Sequence, residues 1–258
     1  MGSTASNYST YMDAKGAKAN KIIVPGTNTT GMLIGSPNAD TVGLYFHGGG
    51  FALPGGNDMF KFLSEITEAA STSGRSLAFL VLQYDLAPGR PYPRQLEQCI
   101  ELLRYASETL TPAPKQLFIG GDSAGGSLVF GTLLHLLQPH PEIAPLKLSR
   151  PLRAAFACSP WVDFDMDSER YREGGASDAA GVDTLRSWAK NYSGVSAADR
   201  WREPAKATAG SWEGLSEVVD EILITAARKE MMLDDIAAMS TKIEVSRLRT
   251  KRDCGRVD

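Results

Sequence analysis

Three cysteines in 258 residues, Cys99, Cys158 and Cys254, are odd in number and widely spaced, which argues against a disulfide framework and against a zinc site. Cys99 and Cys158 fall in apolar patterns and read as core thiols. Histidine is as scarce: His47, His135 and His140, with none after position 140. Positive charge is not in excess. The 27 Lys and Arg against 30 Asp and Glu give a net charge of −3, so no basic field recruits nucleic acid. No apolar run is long enough to span a membrane. Residues 1–20 are polar and rich in small side chains, without the apolar segment of a signal peptide. Three sequons, at Asn7, Asn28 and Asn191, therefore read as chance matches, and the expected location is cytoplasmic. There is no internal repeat and no low-complexity tract.

What the chain has in quantity is alternation of apolar strands and amphipathic helices. Its 43% hydrophobic and 22% charged residues suit one large α/β domain over 1–258. Short strands are expected at 21–24 and 31–34, around the turn Pro25-Gly26-Thr27-Asn28. Stronger ones are expected at 41–46, 76–83, 115–120, 152–158 and 220–226. A helix starts at Asn57 or Asp58 with Phe62, Leu63, Ile66 and Ala70 on its apolar face. Others cover 94–108, with Leu96, Cys99, Ile100 and Leu103 inward, then 127–137 and 233–240. Residues 1–20 read as a flexible lead with a short helix around 11–19, and 241–246 as a last short strand. Residues 163–206 break the rhythm and read as an inserted cap or lid, in which Val182, Leu185, Trp188, Ala189 and Tyr192 form a helical face. The alternation implies a mostly parallel, doubly wound sheet with a partial cap or lid insertion. Residues 247–258 form a basic, weakly patterned, solvated tail.

The chemistry concentrates in three places. Gly121-Asp122-Ser123-Ala124-Gly125 joins an apolar strand to an apolar helix, the context in which G-x-S-x-G forms a nucleophile elbow. A sharp turn holds Ser123 at its tip, over a helix N-terminus that favours developing negative charge. His47-Gly48-Gly49-Gly50 follows an earlier strand. Acyl transfer places negative charge on a former carbonyl oxygen and needs fixed N–H donors there. Gly49 and Gly50 are the expected donors, with Ala124 as the third, and Gly48 open as a sharer of the role. His47 is expected to pin this loop rather than to move protons. In this class of site the order along the chain is serine, acid, histidine. Glu230 sits four residues past the strand at 220–226, whereas Asp234 and Asp235 are accounted for as charges at a helix start. The base should then follow the last strand, and no histidine stands there. His135 lies twelve residues along the helix from Ser123, which is about 18 Å at 1.5 Å per residue.

HGGGF at 47–51, YDLAPGRPYP at 84–93, GGDSAGG at 120–126, SPW at 159–161 and KEMMLDD at 229–235 together resemble the hormone-sensitive-lipase-like branch of the α/β-hydrolase fold, the fold-3 carboxylesterases. The likeness is greatest to fungal esterases of the steryl-acetyl-hydrolase and secondary-metabolite kind, and it covers 47–235. It implies hydrolysis of short or medium acyl esters of hydrophobic alcohols through an acyl-enzyme, with no cofactor and no metal. Ser123 would be nucleophile, Glu230 the acid, and Gly49, Gly50 and Ala124 the oxyanion hole. The partner is a small-molecule ester, with no nucleic acid and no membrane span; the oligomeric state is open.

Two departures accompany the resemblance. Relatives carry a longer N-terminal segment, and they carry a histidine after the last strand. The expectation is a chain shortened at both ends by an altered gene model or splice. A catalytically impaired protein that binds a small hydrophobic ligand is the alternative, and a truncated product that barely folds is a third reading. Asp163-Phe164-Asp165-Met166-Asp167 matches the start of a calcium loop but has Ser168 and Gly174 where glycine and glutamate are required, so no metal is assigned. Trp161, Trp188, Trp201 and Trp212 either line an acyl or alcohol pocket or pack the lid.

Overall fold

A computed structural model describes residues 2–110, 115–173 and 178–245, and the backbone of 250–253. In chain order the elements are α1 (Thr4–Ala14), β1 (Lys21–Ile23), β2 (Thr30–Gly35), β3 (Thr41–Phe46), α2 (Asn57–Thr72), β4 (Leu77–Gln83), α3 (Arg94–Glu108), β5 (Gln116–Asp122), α4 (Ala124–Leu137), β6 (Ala154–Cys158), α5 (Glu169–Glu173), α6 (Val182–Ser193), β7 (Ile222–Thr225), α7 (Leu233–Val245) and β8 (Thr250–Asp253). The eight strands form one sheet in the order β1-β2-β4-β3-β5-β6-β7-β8. The β1–β2 and β2–β4 ladders are antiparallel and the rest are parallel, so the sheet is mostly parallel, as the alternation requires.

Both faces are covered. On one, Leu44, Phe46, Leu80 and Ile119 meet Leu96 and Leu103 of α3 and Val129 and Leu133 of α4. On the other, Met32, Tyr45, Phe79 and Val81 meet Tyr8 of α1 and Phe60 and Leu63 of α2. This two-sided burial explains why β3, β4 and β5 read as continuous apolar runs. It also fixes the C-terminal ends of β3, β5, β6 and β7 side by side, which is where ligands bind in open α/β sheets.

Four sequence expectations are corrected. The helix expected at 11–19 lies earlier, at Thr4–Ala14. The helix is α1, capped by Ser3, and its Tyr8 is fully buried, with its hydroxyl 2.5 Å from the Leu33 carbonyl. The buried face of α2 carries Phe60, Leu63, Ser64 and Thr67, while Phe62 is exposed. Residues 241–245 extend α7 rather than forming a strand, because Ile236, Met239, Ser240 and Ile243 are buried together at helical spacing. The weakly patterned tail contributes a strand: 250–253 pair with β7 in parallel. Its remaining residues, 247–249 and 254–258, lie outside the described residues.

The segment read as a cap contains α5 and α6. Tyr192 of α6 stacks on Phe51 at 3.6 Å and 6°, which ties this helix to the glycine loop that follows β3. Within the same segment, Arg202 and Glu203 form a buried ion pair at 2.6 Å, and Glu203 also accepts the Phe164 N–H.

Candidate active site

Ser123 follows β5 and caps α4 with φ +48, a left-handed conformation that a residue with a Cβ adopts only when its surroundings impose it. The surroundings are visible. Its N–H donates to the Cys158 carbonyl at 2.9 Å, and its own carbonyl accepts the N–H groups of Trp161 at 3.0 Å and Ser127 at 3.2 Å. The flanking glycines serve close approach. A Cβ on Gly121 would stand 2.5 Å from the Phe46 carbonyl oxygen, and one on Gly125 only 1.8 Å from it. The elbow is wedged against the end of β3, and the loop that leaves β3 is thereby brought to the serine.

That loop turns on Gly49 (φ +105) and Gly50 (φ +60). The Gly49 carbonyl accepts the N–H groups of Ala52 and Leu53 at 3.0 and 2.9 Å. Gly48 is committed elsewhere: its N–H donates to Asp122 Oδ1 at 2.9 Å, an oxygen that also accepts the Tyr45 hydroxyl at 2.8 Å. Burial raises the Asp122 carboxyl above the usual range, and these two hydrogen bonds pull it back. Asp122 thus ties the elbow to the glycine loop. Sequence reading passed over it, because the tie spans 74 residues and no local pattern announces it. The N–H groups of Gly49 and Gly50 donate to no group among the described residues.

Ser123, Glu230, Gly49 and Gly50 line one cavity of about 410 Å³. Ala124, the other expected donor, is fully buried directly behind Ser123 as the first residue of α4. The remaining walls are Leu53, Ala179, Ala180, Leu185, Trp188, Met231 and Met232, with Asp122, Ser159 and Asp178 as further polar groups. The tryptophans divide: Trp188 lines the cavity against Gly50, whereas Trp161 and Trp212 are fully buried core.

Glu230 is 9% exposed, and its Oε1 has no hydrogen-bond partner among the described residues. Burial raises its carboxyl above the ordinary value, a hydrogen bond from Ser159 opposes that, and the charge of Asp178 adds to it. A carboxyl raised in this way destabilises the fold when ionised. The cost is absent below the ordinary value of 4.5 and complete once pH has passed the raised folded value. Glu230→Gln is therefore expected to raise the thermal midpoint at about pH 7.5 by about 2–4 °C, the size of a 1 kcal/mol effect in a chain of this length. At about pH 4 the difference should vanish. Calorimetric scans at the two pH values check this; an equal or negative shift at both would show that the carboxylate is not under strain.

The three histidines stand apart from the cavity walls. His47 is buried and stacked on Tyr84 at 4.1 Å; its Nδ1 meets the Gly48 carbonyl at 2.7 Å and its Nε2 meets Thr4 Oγ1 at 3.2 Å. Burial lowers it to about 4, so it stays neutral and holds the loop, as expected. His135 Nδ1 accepts the His140 N–H at 3.1 Å, and burial lowers that imidazole to about 4 as well. His140 packs edge-on against Trp201 and Tyr92. Elsewhere, Asp163, Asp165 and Glu203 bring carboxylate oxygens within 4.8 Å of one another. Lys206 Nζ sits on this group, 3.3 Å from Asp163 and hydrogen-bonded to Asp165, while Arg202 neutralises Glu203. Among the described residues no helix is long and apolar enough to cross a membrane.

Comparison with known proteins agrees with this fold. Residues 43–252 match the family model described as alpha/beta hydrolase fold. Steryl acetyl hydrolase 1 of Saccharomyces cerevisiae is 32% identical over 145 residues, covering 54% of this chain and 31% of that protein. An esterase of Acinetobacter venetianus is 28% identical over 149 residues, covering 57% of this chain and 45% of that one. The chain thus spans about a third to a half of the length of these curated relatives. Among solved structures, an esterase from the bacterial hormone-sensitive lipase family superposes with a TM-score of 0.71 at 24% identity, over 98% of this chain and 82% of that one. At that identity the likeness bears on the fold.

Proposed function

The chain belongs to the α/β-hydrolase fold family, and from that premise we propose that it hydrolyses carboxylic esters with Ser123 as nucleophile. The observation that carries the reading is the left-handed Ser123 at the head of α4, lining the same cavity as Gly49, Gly50 and Glu230. In the proposed course, Ser123 Oγ bonds to the ester carbonyl carbon and gives up its proton to solvent water, since no imidazole lines the cavity among the described residues. The N–H groups of Gly49, Gly50 and Ala124 hold the oxyanion, and the alcohol leaves with a proton. Water then cleaves the acyl-serine to release the acid and restore the hydroxyl. With the Gly48 N–H taken by Asp122, the three donors named are the ones the proposal uses. Glu230 takes the acid position. A relative's name, steryl acetyl hydrolase, and the largely apolar walls support short or medium acyl esters of hydrophobic alcohols as the substrate class. No Lys or Arg lines the cavity among the described residues, which suits an uncharged ester. A small-molecule ester as partner and a cytoplasmic site of action belong to the same proposal.

A fluorophosphonate probe and a chromogenic short-chain ester test it. The expected result is a slow mass increase that maps to Ser123 and is abolished, with the residual turnover, in Ser123→Ala. Saturable binding of a hydrophobic ligand with no labelling of Ser123 would replace the reading with that of a binding protein.

A further inference from the structure

We infer that Thr4, on the N-terminal helix α1, is a positioning residue that sets the glycine loop over Ser123. The inference rests on the esterase reading above and extends the working parts of the site to a residue 119 positions before the nucleophile.

Thr4 is 2% exposed. Its Oγ1 accepts the Gly55 N–H at 3.1 Å and lies 3.2 Å from His47 Nε2. The 2.7 Å contact between His47 Nδ1 and the Gly48 carbonyl requires the proton on Nδ1. Nε2 is then an acceptor, and the Thr4 hydroxyl donates to it. The result is one directed chain: Gly55 N–H to Thr4 Oγ1, Thr4 O–H to His47 Nε2, His47 Nδ1–H to the Gly48 carbonyl. It closes across both ends of the loop that carries Gly49 and Gly50. Asn7, one turn further along α1, adds a second tie by donating to the Gly55 carbonyl at 2.8 Å. Gly48 is therefore held through both of its peptide groups, its carbonyl by His47 and its N–H by Asp122. The Gly48 carbonyl shares a peptide plane with the Gly49 N–H and so orients it, while the Gly49 carbonyl, which accepts the Ala52 and Leu53 N–H groups, does the same for the Gly50 N–H.

The anchor for this latch is independent of the loop. Tyr8 packs on Phe60 at 5.5 Å, its hydroxyl donates to the Leu33 carbonyl, and the Asn20 N–H donates to that same hydroxyl at 3.0 Å. The helix is thus seated on β2 and α2, and Thr4 transfers that rigidity to the loop. A hydroxyl is needed because the site asks for one donor and one acceptor on a single atom, a requirement met by serine or threonine and not by valine.

The test compares Thr4→Val, which keeps shape and removes the hydroxyl, with Thr4→Ser, which keeps it, in the full chain. The readout is fluorophosphonate labelling of Ser123, resolved into a saturating rate constant and a half-saturating concentration. Loss of a whole oxyanion donor costs about 10²–10³-fold. Misplacement of donors by Thr4→Val is expected to lower the saturating rate constant by about 10- to 100-fold, with the half-saturating concentration unchanged, and Thr4→Ser is expected to restore it. A thermal effect without this rate effect would mark Thr4 as structural only and overturn the inference. So would labelling of Thr4→Val at the wild-type rate; either result leaves the esterase reading standing as long as the wild type labels at Ser123. A wild type that does not label at all sinks the esterase reading and this inference with it. If Thr4→Val does not fold, Asn7→Ala decides: a smaller loss in the same rate constant supports the latch, and none refutes it.

Discussion

Gly125→Ala will cost the protein both its elbow and part of its fold. The backbone of Gly125 is that of an ordinary helical residue, so alanine would meet no conformational penalty there and would gain helix propensity. The cost is steric. The new methyl carbon would lie 1.8 Å from the Phe46 carbonyl oxygen, 2.5 Å from its carbon and 2.8 Å from the His47 carbonyl oxygen. All three are backbone atoms of the end of β3 and the first loop residue, so no side chain can rotate out of the way. Either α4 lifts from the sheet or β3 and the glycine loop are displaced, and both outcomes separate Ser123 from Gly49 and Gly50. Overpacking of a well-ordered interior costs about 1–3 kcal/mol and occasionally more. With backbone on both sides of the clash, the expected loss is at or above about 3 kcal/mol, a drop of about 10 °C in the thermal midpoint. Fluorophosphonate labelling should disappear with it. Gly56→Ala is the control: nothing lies within 4 Å of a Cβ there, and the expected change at that N-cap is within about 1 kcal/mol. A folded Gly125→Ala that labels at the wild-type rate would show that the contact of α4 with β3 does not hold the site together.

The same residue shows what the sequence could and could not disclose. The glycines around Ser123 are expected where a strained turn and closely passing neighbours leave no room for side chains. The strain rests on Ser123 itself, at φ +48, and the close neighbour of Gly121 and Gly125 is Phe46. The need for close approach was legible and the partner was not, since the partner lies on another strand. Strands β3, β4 and β5 were legible because burial on both faces leaves continuous apolar runs. The end of α7 was not. Lys242-Ile243-Glu244-Val245 alternates like a strand, while Ile243 also sits four residues after Met239, and packing chose the second period. Helix α1 was placed too far along the chain because its buried face is made of Thr4 and Tyr8 within a polar run. In α2, Phe60 and Phe62 compete for one face two residues apart, and only the sheet beneath decides between them. At the site, Ser123, Gly49, Gly50 and Glu230 stand in local motifs, whereas Asp122 and Thr4 act across 74 and 43 residues, where no spacing rule reaches.

Free imidazole in solution will accelerate acylation of Ser123, and the acceleration will saturate. A serine hydroxyl attacks an ester efficiently only when a neighbouring base takes its proton. Within these 258 residues each imidazole is committed: His47 to Thr4 and Gly48, His135 to the His140 N–H, and His140 to its contacts with Trp201 and Tyr92. The chain alone should then work about 10⁶-fold below an enzyme with a complete triad. The acceptor that would orient a base is nevertheless in place. Glu230 Oε1 is buried and unpartnered among the described residues, on the wall of the cavity that Ser123 also lines. A neutral imidazole can donate one N–H to that oxygen and present its other nitrogen to the serine proton, and general-base assistance of this kind is worth about 10²–10⁴-fold. The measurement is the fluorophosphonate labelling rate against imidazole concentration, with Ser123→Ala as the blank for uncatalysed reaction. The dependence should rise with pH as free imidazole loses its proton near neutrality, since only the neutral ring can accept the proton. In Glu230→Ala the rise should become shallow and linear, because the ring then acts by collision. A linear response in the wild type, or one equally large in Glu230→Ala, would mean that Glu230 does not hold the base position. The assignment of the acid would then have to move, with Asp178, the other carboxylate on that wall not already bonded to the glycine loop, as its next candidate.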